Sequence, residues 1–375
     1  MRAYVFTDKS LERYAGRFVW LAINTEDSRN ANFLAKYPMP VLPTLLVLDS
    51  TGEKIVMRYV GGATLPQLEK LLDDASKKTQ SSSDFLVASA DKLASEGRHA
   101  DAAKLYESAL EKAPKSWRRY GPTAESLLFS LSSAKDYEHC ATRALDLYAR
   151  LKSTRSGANV AASGLDCATS IDEKNAQRAD LIRKLDVVTR EALADKKIEL
   201  AGDDRSGMYI TLIAAREALK DEEGAQKLRQ EWTEFLEKAA AQAKTPEQRA
   251  VYDSHRLTAY LELKTPEKAI PMLEQSERDF PDDYNPPARL ASAYKAMKEY
   301  DKALAASDRA LARAYGPRKL LILRNRADIY VAKGDKESAK KTMEEAIAYA
   351  KQLPKAQVRE STIAALEKKL TELSQ

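Results

Sequence analysis

The alternation of apolar and polar positions changes character once along the chain. In the first 78 residues, strand-like and helix-like patterns are mixed. Thr44–Leu48 is a continuous apolar run. The polar tetrad Asp49-Ser50-Thr51-Gly52 follows it, and residues 54–59 then alternate, which predicts a hairpin. Residues 17–23 (RFVWLAI) predict another strand and residues 28–37 a helix. Residues 64–76 predict a second helix. Thr64 suits the N-cap, Pro66 lies in the first turn, and Leu65, Leu68, Leu71 and Leu72 fall on one face. The stretch 77–84 (KKTQSSSD) is polar and serine-rich, as a linker would be. Beyond it alanine, leucine, lysine and glutamate dominate to the end, a composition for helices alone.

The helical region repeats itself. GRHADAAKLYESALEKAP places Gly97, Ala102, Tyr106, Ala109 and Pro114 at offsets that resemble the tetratricopeptide repeat, a 34-residue helix–turn–helix unit. Ala269, Ala303 and Ala339 share one slot, 34 and 36 residues apart, and Leu261, Tyr294 and Tyr330 precede them by eight or nine residues. A small residue there lets the second helix of a pair approach the first, and the large residue fills the space between them. One pair cannot bury its apolar face alone, so pairs must stack. Between 115 and 250 the period loosens. Pairs are expected near 122–152, 156–195 and 204–243, giving about seven in all at roughly 40 residues per divergent unit. A closing helix near 355–373 would cap the stack with a polar outer face.

The opening region resembles a thioredoxin domain. The resemblance rests on Val41-Leu42-Pro43-Thr44, the hairpin after it, Gly61-Gly62 and the leucine-patterned helix at 65–72. RFVWLAINTED is similar to that family's preceding strand. The family implies a cis peptide before Pro43, which would also explain a proline at a strand's start, where no ladder hydrogen bond is lost. It implies substrate-backbone contact by Pro43 and Thr44. The family's catalytic CxxC would lie ahead of Met1 and is absent, since Cys140 and Cys167 both fall in the helical region. Truncation of the segment bearing it is the expectation, because the strands at 17–23 and 43–48 would otherwise lack a shared neighbour.

Composition narrows the function. The chain has 61 Lys and Arg against 56 Asp and Glu, a formal charge of +5, with the two signs interleaved. No basic run suggests nucleic acid or an anionic membrane surface. No apolar stretch approaches the roughly 18 residues of a membrane span. The N-terminus lacks the apolar core of a signal peptide. The compartment stays unassigned, with periplasm or secretion open if an upstream segment existed. Two distant, unpaired cysteines and three histidines (His99, His139, His255) form no metal-binding spacing, and no cofactor is implied. Trp20, Trp117 and Trp232 read as packing residues.

The expected fold is therefore an α/β thioredoxin-like fragment at 1–78, a linker at 79–84, and an all-α tetratricopeptide-like solenoid at 85–375. By resemblance the protein is thiol–disulfide oxidoreductase-like, lacks its CxxC and is inactive as it stands, and carries a repeat region for a protein or peptide partner. The alternative is a non-catalytic repeat scaffold. Groove candidates are His255, Arg289, Arg324 and Asn325, on first helices of successive repeats. Repeats that clamp a chaperone's tail place lysine and asparagine where Ala288, Ser292, Arg324 and Asp328 stand here, which argues against that use.

Overall fold

The computed structural model describes all residues except 1–3, 40–41, 52–54, 77–81, 115–116 and 375. A 3-10 helix at Lys9–Tyr14 and another at Ser28–Asn30 precede α1 (Ala31–Lys36). Strands β1 (Thr44–Leu48) and β2 (Ile55–Val60) and helix α2 (Leu65–Ala75) follow. Helices then continue to the end. They are α3 (Ser82–Ser95), α4 (His99–Lys112), α5 (Tyr120–Ser133), α6 (Tyr137–Leu151), α7 (Arg155–Ser170) and α8 (Arg178–Ala194). Next come α9 (Gly202–Ala218), α10 (Glu222–Ala241), the short α11 (Pro246–Ala250), α12 (Asp253–Glu262) and α13 (Ala269–Asp279). The last are α14 (Asn285–Ala296), α15 (Tyr300–Arg313), α16 (Gly316–Lys333), α17 (Lys336–Gln352) and α18 (Glu360–Ser374). Two compact units result. One comprises Met1–Ala15 and Met39–Trp232, the other Gly16–Pro38 and Thr233–Gln375.

One turn chemistry organises the repeats. In six helix pairs the linking turn holds a left-handed residue: Gly97 (φ 79°), Lys135 (62°), Lys220 (60°), Lys264 (59°), Lys298 (62°) and Gly334 (88°). The next residue's N–H reaches back five positions to a carbonyl of the first helix, as in Asp136 to Leu131 (2.9 Å), Asp221 to Arg216 (2.9 Å) and Glu299 to Tyr294 (2.9 Å). This Schellman bond satisfies an otherwise orphaned carbonyl and reverses the chain. Five residues after the left-handed position stand Ala102, Cys140, Ala225, Ala269, Ala303 and Ala339, all with no exposed surface. The same bond runs from Thr265 to the carbonyl of Tyr260 (2.8 Å). Tyr260, rather than the expected Leu261, is thus the counterpart of Tyr294 and Tyr330. The seventh pair, α7 with α8, has a longer connection at 171–177.

In the first unit, α6 and α7 make the closest helix contact. A Cβ built on Gly164 would lie 2.2 Å from the Ala144 Cβ, and one on Gly157 2.2 Å from the Leu151 carbonyl oxygen. Only glycine permits that approach. A disulfide between Cys140 and Cys167 joins the same two helices, with 6.0 Å between their Cα atoms. The sequence offered these cysteines as unpaired. They meet because Cys140 fills the small-residue slot of one helix and faces the next.

The N-terminal region departs from the thioredoxin expectation. Among the described residues the one sheet has two strands, β1 and β2, antiparallel with Thr44 opposite Val60 and Val47 opposite Met57. The Leu42–Pro43 peptide is cis. Val41 and Lys54 lie outside the described residues, as do 79–81 of the expected linker, whose residues 82–84 begin α3. Residues 17–23 form no strand. They belong to the second unit, and Val19 and Leu21 are 89% and 73% exposed. A lone extended segment has no ladder partner to stabilise it. Trp20, expected to pack, is exposed as well, whereas Trp232 is buried with its indole N–H on Ser206 Oγ at 3.1 Å. The segment after Trp20 is anchored by polar contacts. Glu26 pairs with Arg318 and accepts from the Tyr284 hydroxyl (3.3 Å), and Asn24 donates to the Tyr315 hydroxyl (3.0 Å).

The second unit's core confirms the repeat phase. Ala269, Ala303 and Ala306 pack with Leu257, Tyr260, Leu273 and Leu290. Lys302, one residue from Ala303, points outward to Glu299, with 65% of its side chain exposed. Ala303→Phe is expected to lower the thermal midpoint by overpacking this contact, at a cost of about 1–3 kcal/mol or more. Lys302→Phe should cost much less. Circular dichroism melts of the two variants decide the point, and equal small shifts would contradict the phase.

Candidate functional site

The first helices of successive pairs in the first unit, α3, α5, α7 and α9, share one face with a cleft of about 490 Å³. Strand β2 contributes Arg58 and Tyr59, and α4 contributes Tyr106. Five carboxylates line the cleft against one guanidinium: Asp91 on α3, Glu125 on α5, Asp166 on α7, and Asp203 and Asp204 on α9, facing Arg58. Ser126, Phe129 and Ser130 on α5 and Asn159 and Ser163 on α7 complete the polar and aromatic lining.

The acids sit in distinct settings. Asp204 is paired with the Arg155 guanidinium at 2.5 Å, and Arg155 also donates to the Gly62 carbonyl (2.5 Å) and the Tyr59 hydroxyl (3.3 Å). This side chain, 8% exposed, ties the hairpin to α7 and α9. Burial raises the Asp204 carboxyl above its ordinary range despite that partner. Glu125 Oε2 accepts from the Asn159 amide at 3.0 Å, while Oε1 is buried without a hydrogen-bond partner. Burial raises Glu125 too. Ser130 has no exposed surface, and its Oγ likewise lacks a partner. Unsatisfied polar atoms of this kind carry a desolvation penalty unless something binds them.

Asp91 is the deepest of the acids. It is 9% exposed and accepts from the Tyr106 hydroxyl at 2.6 Å. Burial pushes its carboxyl up to about 6, against the opposing pull of Tyr106, Arg119 and Arg58. The folded chain holds this proton more tightly than the unfolded chain. Ionised Asp91 therefore opposes folding above that pH, and the penalty fades as pH falls from about 6 towards 3.8. Asp91→Asn is expected to be more stable than the parent at pH 8 by about 1–3 kcal/mol, with the difference closing near pH 4. Denaturant unfolding across this range tests it, and parallel pH profiles would refute it. Retaining a destabilising buried acid is characteristic of functional sites.

The residues singled out from the sequence lie elsewhere. Pro43 is exposed ahead of β1, and Thr44 begins that strand opposite Val60. Neither is among the residues lining the cleft. His255, Arg289, Arg324 and Asn325 stand on α12, α14 and α16 of the second unit. Arg324 is exposed, whereas Arg289 is partly buried near Asp253, and burial lowers its pKa. Asn325 and Ser292 share a narrow gap of about 10 Å³. Among the described residues no group of three His, Cys, Asp or Glu side chains could hold a metal ion. The cleft acids escaped sequence reading because the repeat period is irregular there. No local pattern marks them, since Asp91, Glu125 and Asp204 stand at different distances before the left-handed residues Gly97, Lys135 and Lys220.

Residues 284–352 match the family model for the tetratricopeptide repeat. No curated protein matches the sequence. Similar solved structures include a tetratricopeptide repeat protein from Parabacteroides merdae, 10% identical with a TM-score of 0.44, covering 77% of this chain and 98% of that one. Another is the TPR2AB domain of yeast Sti1 in its complex with pHSP90, 14% identical with a TM-score of 0.30, covering 78% and 98%. A third is TTC0263, a thermophilic TPR protein of Thermus thermophilus, 16% identical with a TM-score of 0.27, covering 78% and 98%. Where a thioredoxin-like domain was expected, the described residues hold one small sheet of two strands. Residues 284–352 are thus tetratricopeptide-type repeats, within a chain whose helices pair through the same Schellman turn.

Proposed function

We propose that the protein is a non-catalytic repeat scaffold that binds a protein or peptide partner in the cleft on α3, α5, α7 and α9. The observation that carries this reading is a cleft of about 490 Å³ lined by polar and apolar side chains, with the Ser130 Oγ buried and unpartnered beside it. A row of first helices presents side chains at repeat spacing, which suits an extended segment laid across it. Selection of short random peptides displayed on phage against the full chain tests the reading. Recovered peptides should bind saturably, lose binding to Asn159→Phe, which fills the cleft, and keep it to Val187→Glu on exposed α8. Peptide binding indifferent to Asn159→Phe would overturn the proposal.

A second reading keeps the thioredoxin resemblance for the hairpin and α2, on the order hairpin, Gly61-Gly62, helix. Pro43 and Thr44 would be its substrate-contact residues. Disulfide exchange needs an attacking thiolate, and here both cysteines are joined to each other. That reading therefore assigns no reductase activity to the chain as it stands. His255, Arg289, Arg324 and Asn325 would offer a further contact face for a partner on the second unit.

A further inference from the structure

Residues 24–26 are seated on the second unit. They belong to a strap, 16–38, whose flanking residues up to Ala15 and from Met39 are part of the first. Glu26 is the centre of the seat. Its side chain is largely buried, pairs with the Arg318 guanidinium and accepts from the Tyr284 hydroxyl at 3.3 Å. The Thr25 carbonyl accepts from the Gln357 amide at 3.3 Å, and the Asn24 amide donates to the Tyr315 hydroxyl at 3.0 Å. These four partners stand at or just ahead of the first turns of α14, α16 and α18. Gly316 closes the seat. Its φ is 55°, and a Cβ there would lie 2.1 Å from the Glu26 carbonyl oxygen, so only glycine lets α16 come this close to the strap's backbone. The seat therefore reads a carboxylate, a peptide carbonyl and a side-chain amide on one short stretch of chain.

The hold is polar and partly open to water. Arg318 and Tyr315 are each nearly half exposed, so an incoming segment can meet both before the strap leaves. An ion pair this accessible holds weakly. Val19, Trp20 and Leu21, just ahead of the seat, are exposed and add no apolar anchor. The strap's shape is set locally. Asn24 Oδ1 accepts from the Glu26 N–H at 2.9 Å and the Asn24 carbonyl from the Asp27 N–H at 3.3 Å, a turn that presents the carboxylate without help from the seat. Another chain that forms this turn ahead of a glutamate carries the same recognition groups.

We infer that Tyr284, Tyr315, Arg318 and Gln357 form an acceptor site for a partner's Asn-x-Glu turn, and that residues 24–26 fill it in cis until such a segment displaces them. The tethered strap acts as a placeholder. Its high effective concentration turns away acidic segments that make only some of the contacts and yields to one that makes them all. The site lies wholly within the second unit and goes beyond the cleft reading without resting on it.

Calorimetric titration of the full-length protein with a capped peptide of residues 22–28 (AINTEDS), and with its counterpart carrying glutamine for the glutamate, tests it. Glu26→Ala empties the carboxylate seat, and this variant should bind the first peptide about tenfold or more tightly than the parent does. The glutamine counterpart should bind the variant about tenfold or more weakly, through loss of a charge-assisted pair. Adding Arg318→Ala to Glu26→Ala should weaken the first peptide to a similar degree. Tyr284→Phe removes one hydroxyl and keeps the ring, so it should weaken binding in the same direction even if Arg318→Ala disturbs α16. Lys302→Ala makes the same change of charge on α15 and should leave binding unchanged, as should Asn159→Phe in the first unit. In the parent, saturating peptide should speed hydrogen exchange at the Glu26 and Asp27 amides, because the strap has left its seat. The inference is overturned by no binding to Glu26→Ala, by equal binding to parent and variant, by a glutamine counterpart that binds as well, by indifference to both Arg318→Ala and Tyr284→Phe, or by binding that leaves the strap's exchange unchanged. Any of these spares the cleft reading, whose own test is the response of displayed peptides to Asn159→Phe.

Discussion

Arg155→Ala is expected to destabilise the first unit by about 3–5 kcal/mol, the range for stripping one partner from a buried ion pair. The guanidinium is 8% exposed and meets Asp204, whose side chain is 17% exposed, at 2.5 Å. Its removal leaves that carboxylate buried and unpaired and withdraws the donors to the Gly62 carbonyl and the Tyr59 hydroxyl. The loss is therefore larger than one hydrogen bond, because the acid's desolvation is no longer offset. A second substitution gives the control. Arg155→Ala with Asp204→Ala should recover part of the loss, since no orphaned charge remains. Arg118→Ala breaks an exposed pair with Asp74 at 3.3 Å and should cost no more than about 1 kcal/mol. Denaturant midpoints of the three variants separate these cases. Arg155→Ala and Arg118→Ala with equal small effects would mean the guanidinium does not hold hairpin to helices.

Replacing both Cys140 and Cys167 with alanine is expected to cost about 3.5 kcal/mol. The bridge closes a loop with a sequence separation of 27, and the chain-entropy relation gives that figure for such a loop. Both side chains are buried in the α6–α7 contact, so lost packing adds to the entropic part. Unfolding of the oxidised parent, the parent after full reduction, and the double variant should show the last two close together and well below the first. A reduced parent as stable as the oxidised one would mean the bridge contributes nothing to the unit's stability. The same experiment bears on function, since α7 carries Asn159, Ser163 and Asp166 into the cleft.

The repeats were legible where local chemistry and global packing agree. Ala269, Ala303 and Ala339 mark one buried slot at near-regular spacing, and all three are fully buried as that spacing requires. The hairpin was legible too, because an apolar run, a polar turn and an alternating return are local signals. So was the N-terminus of α2, where the Thr64 N–H donates to Gln67 Oε1 at 3.0 Å. Residues 17–23 show the limit. Their apolar character permits a strand, but a strand exists only with a partner, and here the segment belongs to the other unit.

The middle of the chain marks the same division more sharply. Between 115 and 250 the described reversing turns use lysine, at Lys135 and Lys220, where sequence patterns look for glycine, and the α7–α8 connection is longer, so the phase was hidden there. Once that phase is known, Cys140 takes the slot held elsewhere by alanine, and its pairing with Cys167 follows from stacking two helices. The cleft acids belong to the same class. Asp91, Glu125, Asp166 and Asp204 are far apart in sequence, and each alone reads as an ordinary charged helix residue. The sequence by itself determined which helices form and how each pair closes, because those depend on contacts within a few turns of chain. Which acids share a cleft, which cysteines meet and which strand lacks a partner were decided by tertiary structure, because each depends on the stacking of helices across a separation that no local pattern encodes.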